Sequence, residues 1–139
     1  MIYVLLVVLA AAVLLYALLF NHSGRPAQRG RSRLDRQLVA QRWETVQAMA
    51  NSGGNGLRQA VSEADKLLDY ALRQTGARGD TMGEWLKSSG RRFSDLDSVW
   101  RAHKLRNALA HEVGFDLVQS QAREALSDFE RGLRDLGAL

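Results

Sequence analysis

The chain has 139 residues, a net charge of +4 and no cysteine, which excludes a disulfide framework and any thiolate metal site. Three histidines without a cysteine partner provide no ligand set for a structural zinc, and a single proline with no long alternating apolar run points to helices rather than strands. The positive charge is concentrated in residues 21–42, where Arg25, Arg29, Arg31, Arg33, Arg36 and Arg42 face Asp35 alone. Residues 43–139 carry 13 basic and 14 acidic side chains, so composition assigns the domain no nucleic-acid-binding face.

Residues 2–20 contain no charge and are dominated by Leu, Val and Ala. As a helix they span roughly 28 Å, about one hydrocarbon core, and are read as a transmembrane anchor in the lipid bilayer, with Tyr3 and Tyr16 near the two interfaces. A cleaved secretory signal would need a basic start and a small-residue cleavage site, neither of which is clear. The arginines lie on the C-terminal flank, so the positive-inside rule predicts a single-pass protein of the cell membrane with its N-terminus outside and its C-terminal domain cytoplasmic. Residues 21–33, with Gly24, Pro26 and Gly30 among Arg, Gln and Ser, have the composition of a basic, solvated linker.

Helical spacing then recurs along residues 34–139. A first helix is predicted over about Leu34–Ala50, with Val39, Trp43, Val46 and Ala50 on one face, and Asn51–Gly56 interrupts it. A second, over about Leu57–Gln74, carries Leu57, Ala60, Val61, Ala64, Leu67, Leu68, Ala71 and Leu72 on one stripe and ends at Gly76. Thr81 and Glu84 have capping-box spacing and open a short helix to about Ser88. Ser94, Asp95 and Asp97 start a helix that runs to about His111 and closes near Gly114, and a last one covers about Ser120–Leu136. The predicted architecture is all-α, a small four-to-five-helix bundle behind an N-terminal transmembrane helix.

The helix over Leu96–Val113 divides into three faces at 100° per residue. Ala102, Leu105, Leu109 and Val113 form the expected core strip, and Asp97, Arg101, Lys104, Ala108 and Glu112 the wet edge. The third face mixes Leu96, Val99, Trp100 and Ala110 with His103, Arg106, Asn107 and His111. Such a face either packs on another helix of its own subunit, with its polar groups paired internally, or forms the seam of a two-fold dimer. Internal partners expected for Arg106 are Glu112 or Asp116.

His103-x-x-Arg106-Asn107-x-x-x-His111 resembles the R-x4-6-H signature of HEPN domains in its R-N-x-x-x-H form. The likeness extends over roughly Leu57–Leu136, with Ala64-Asp65-Lys66-Leu67-Leu68 matching the second-helix pattern and Thr81–Leu86 the short segment before the motif helix. It implies a compact helical domain, usually a homodimer, and in many members a metal-independent endoribonuclease that leaves a 2′,3′-cyclic phosphate. Arg106 and His111 would be the catalytic pair, with Asn107 and His103 supporting. An imidazole that titrates near neutrality suits removal of a ribose 2′-hydroxyl proton, and a guanidinium suits the phosphate. The two project about 140° apart on one helix, so two copies facing across a dimer would be needed to converge on one phosphate. Many members of that family bind without cutting, so the alternative is a non-catalytic, membrane-tethered interaction or scaffold module for a protein or nucleotide. No cofactor or metal is expected. The Gly-rich stretch Asn51–Gly56 lacks Gly-Lys-Ser/Thr and a preceding strand, and there is no His-Glu-x-x-His.

Overall fold

The computed structural model describes residues 33–139. The predicted span 2–20 lies outside them, as does the linker 21–33 except for Arg33. Among the described residues no helix is long and apolar enough to cross a membrane.

Five α-helices and one 3₁₀ turn account for the described residues, with no strand among them: α1 Arg36–Asn51, α2 Gly54–Gln74, α3 Met82–Ser88, the 3₁₀ turn Gly90–Arg92, α4 Leu96–His111 and α5 Gln119–Asp135. Each boundary has a local cause. Asp35 caps α1 by accepting from Leu38 N at 2.9 Å, and Asp95 caps α4 through Ser98 N at 3.0 Å. The capping box that opens α3 is complete, with Glu84 N donating to Thr81 Oγ1 at 3.3 Å and Thr81 N to Glu84 Oε2 at 3.1 Å. Helices α2 and α5 end alike. Gly76 and Gly137 take positive φ, and the residue after each donates back five positions, Ala77 N to Leu72 O at 3.0 Å and Ala138 N to Leu133 O at 2.8 Å.

Helix α2 is central, packing on α1, α4 and α5, and α5 also packs on α4. Phe129, Leu68, Leu72, Leu86, Leu133, Val39 and Val61 are the largest fully buried apolar side chains of the resulting core, together with Val99. Gly137 lies against Arg36: a side-chain carbon there would stand 3.6 Å from Arg36 Nη2.

Three expectations are corrected. The break after α1 is only Ser52 and Gly53, because Gly53 makes the turn at φ 70° and residues 54–56 are already helical. The glycine at 56 is required by proximity, since a Cβ there would fall 2.5 Å from Met49 O. Secondly, Val113 is fully exposed and Leu105 and Leu109 are only partly buried, whereas Val99 is core. Helix α4 stops at His111 and Glu112 adopts extended geometry, so the helical period no longer governs position 113. Thirdly, Arg106 pairs with neither Glu112 nor Asp116; its acidic partner is Asp65.

Candidate functional site

The site is built where α2 crosses α4. Asp65 occupies the edge of the apolar stripe of α2, one residue past Ala64 and four past Val61, so packing of that stripe carries its carboxylate into the interface. It is 5% exposed. A carboxylate desolvated to that degree requires partners, and α4 supplies them. His103 Nδ1 lies 2.7 Å from Asp65 Oδ1, and Arg106 Nε lies 3.3 Å from Asp65 Oδ2. Asn107 completes the set, its Nδ2 3.1 Å from His103 Nε2 and its Oδ1 accepting from Arg106 Nη1 at 3.1 Å. The contact at Arg106 Nε is an ion pair without hydrogen-bond alignment, which leaves that buried nitrogen short of a hydrogen bond. Trp100 covers the histidine edge-on, with ring centroids 6.2 Å apart.

Of the predicted residues, the structure thus brings His103 and Arg106 together on one carboxylate, with Asn107 bridging the two. His111 stands apart: it is exposed in the last turn of α4 and takes no part in this network. It lies five residues beyond Arg106, roughly 7.5 Å along the axis and about 140° around it. The third face of α4 is therefore divided. His103 and Arg106 meet α2 at Asp65 and Val99 is core, while Ala110 and His111 remain open to solvent.

A second polar cluster occupies the opposite side of α4, against α5. Arg131 Nη1 approaches Asp95 Oδ2 at 3.5 Å and Asp128 Oδ1 at 3.6 Å, and Arg101 Nη2 stands 4.0 Å from Asp128 Oδ2. Burial pushes the Asp128 carboxyl above its ordinary range, and these two arginines only partly offset it. The backbone N–H of Ser98 holds Asp95 below the usual range. A cleft of about 430 Å³ opens beside this cluster between Leu105, Ala108, Phe115 and Ala125, and Asp65 is not part of its lining. No group of three or more His, Cys, Asp or Glu among the described residues is arranged to hold a metal ion.

Sequence reasoning gave Asp65 no role of its own. The available signal was an ionisable residue within an otherwise apolar helical stripe, which implies a buried countercharge elsewhere in the fold. Comparison with protein-family models, with curated proteins and with solved structures finds no match to this chain.

Proposed function

We propose that this protein is a membrane-anchored, HEPN-like homodimer that cleaves RNA without a metal ion, with α4 of each copy facing the other. Arg106 binds the scissile phosphate, and His111 removes the proton from the ribose 2′-hydroxyl. The 2′-oxygen then attacks phosphorus, the bond to the 5′-oxygen breaks, the departing oxygen takes up a proton, and a 2′,3′-cyclic phosphate remains. The observation that carries this reading is the state of Arg106. Asp65 and Asn107 hold its Nε and Nη1, while 27% of the side chain stays exposed on the same helix as the bare imidazole of His111. A guanidinium oriented in advance binds an oxyanion without the entropy cost of ordering a free arginine.

The test uses the full chain in detergent micelles, incubated with RNA in EDTA. Cleavage to cyclic-phosphate ends is expected, and His111→Ala should abolish it with the unfolding midpoint and dimer unchanged, since His111 is exposed. An inert wild-type chain, or an active His111→Ala variant, refutes it. A second reading is favoured by a specific observation: Asp65 already matches the charge of Arg106, and Val113 and Val118 offer apolar surface. In that reading the same face binds a protein or nucleotide and no bond is broken; a wild-type chain that is inert on varied RNAs but loses a binding partner on Val113→Asp would establish it.

A further inference from the structure

Asp65 and the three side chains beside it, His103, Asn107 and Arg106, form a closed ring, and the chemistry of one of them sets the others. The guanidinium of Arg106 can only donate, so the Asn107 atom that faces its Nη1 at 3.1 Å is the carbonyl oxygen. The Asn107 amide nitrogen is then turned to His103 Nε2, 3.1 Å away. Because that nitrogen also only donates, Nε2 must present a lone pair. The single ring proton of neutral His103 therefore sits on Nδ1, 2.7 Å from Asp65 Oδ1. The other carboxylate oxygen closes the ring at Arg106 Nε, 3.3 Å away. Reversing any link would set two donors or two acceptors face to face.

We propose that His103 and Asn107 are positioning residues for Arg106, and that a proton bound at His103 Nε2 releases Nη1 of the guanidinium. This rests on Arg106 being the phosphate-binding group of the reading above. Protonated Nε2 would confront the Asn107 amide nitrogen, and the amide must turn over to offer its oxygen to the imidazolium. That turn withdraws the oxygen from Arg106 and leaves Nη1 without an acceptor, while Asp65 keeps both of its contacts. Arg106 then presents Nη1 and Nη2 together, the two-pronged geometry that suits a phosphate. Phosphate affinity thus increases as His103 takes up its proton. Among the described residues, the charged groups bordering this imidazole are Asp65 from α2 and Arg106 from α4. Those of α5 that face α4, Asp128 and Arg131, meet Arg101 and Asp95 instead.

The test is nuclear magnetic resonance on the full chain in micelles, with 15N-labelled histidine and arginine and His103→Gln for assignment. At alkaline pH His103 should carry its proton on Nδ1, and the Arg106 guanidinium resonances should move with the midpoint of the His103 titration. Asn107→Asp places an acceptor against Nε2, so the imidazolium should persist to a pH about 1 to 3 units higher. A wild-type His103 protonated on Nε2, Arg106 resonances that ignore its titration, or an unchanged midpoint in Asn107→Asp would each overturn the proposal. None of these readouts involves RNA. A chain that passes them and cuts no RNA defeats the ribonuclease reading and leaves the relay in place.

Discussion

Asp65→Ala removes one carboxylate and orphans two partners. His103, with only 12% of its side chain exposed, loses the acceptor for its Nδ1–H, and an unsatisfied buried donor costs about 1 to 3 kcal/mol. Arg106 loses its countercharge, for which a fully buried pair costs about 3 to 5 kcal/mol. Its side chain is 27% exposed, so the guanidinium can turn toward water, and its loss falls well below that range. Together these terms amount to about 3 kcal/mol, a large share of the 5 to 15 kcal/mol typical of a domain. At roughly 4 to 8 °C per kcal/mol, Tm should fall by about 12 to 24 °C. Thermal and guanidinium unfolding of the full chain, followed by circular dichroism, measure this. Asp65→Asn retains an acceptor for His103 and should lose about half as much. In a double-mutant cycle, Asp65→Ala with Arg106→Ala should cost at least 1 kcal/mol less than the sum of the two, within the range seen for residues in contact. A fall below about 4 °C for Asp65→Ala, or strict additivity, would refute the view that this carboxylate organises the α2–α4 interface.

Four further outcomes are expected. Because burial raises the Asp128 carboxyl above its ordinary 3.8, the folded chain binds that proton more readily than the unfolded one, and the group's contribution to stability declines as pH rises through that window. Asp128→Asn should therefore raise Tm at neutral pH, with the advantage disappearing below the ordinary value. Glu84 has the opposite sign: backbone hydrogen bonds from Asp80 and then Thr81 hold its carboxyl below 4.5, so the stability it contributes is lost as pH falls through the folded value. Glu84→Gln should melt below wild type at neutral pH and converge with it in acid. Phe129→Ala, at a site with no exposure, should cost about 3 to 5 kcal/mol in chemical unfolding. Val113→Asp should leave the melting curve unchanged, because that side chain is fully exposed in the folded chain, and a fall of several degrees in Tm would show that position 113 packs in the domain after all.

The helices were legible because their caps and stripes are local. Thr81 with Glu84, Asp95 before α4, and Gly76 after α2 act through neighbours within a turn, and the stripe of α2 reads directly as Leu57, Val61, Ala64, Leu68 and Leu72. Two features required knowledge of tertiary placement. Val113 continued the apolar strip of α4 on paper, but the chain leaves the helix at His111 and the strip ends with it. The partner of Arg106 lies 41 positions earlier in the chain on a different helix, whereas Glu112 and Asp116 are its neighbours only along the sequence. The polar spacing of His103, Arg106 and Asn107 marked the right face of α4, but it did not reveal that a single carboxylate gathers His103 and Arg106 while Asn107 bridges them.

The proximity of Gly137 to Arg36 has a practical consequence, since it brings the start of α1 within a few residues of the end of α5. A donor dye near position 33 and an acceptor near 139 would transfer energy efficiently in the native domain and lose that signal when the chain expands. Such a pair would report global unfolding of the domain, with no label placed on α4 and no dependence on which side chain around Asp65 had been replaced.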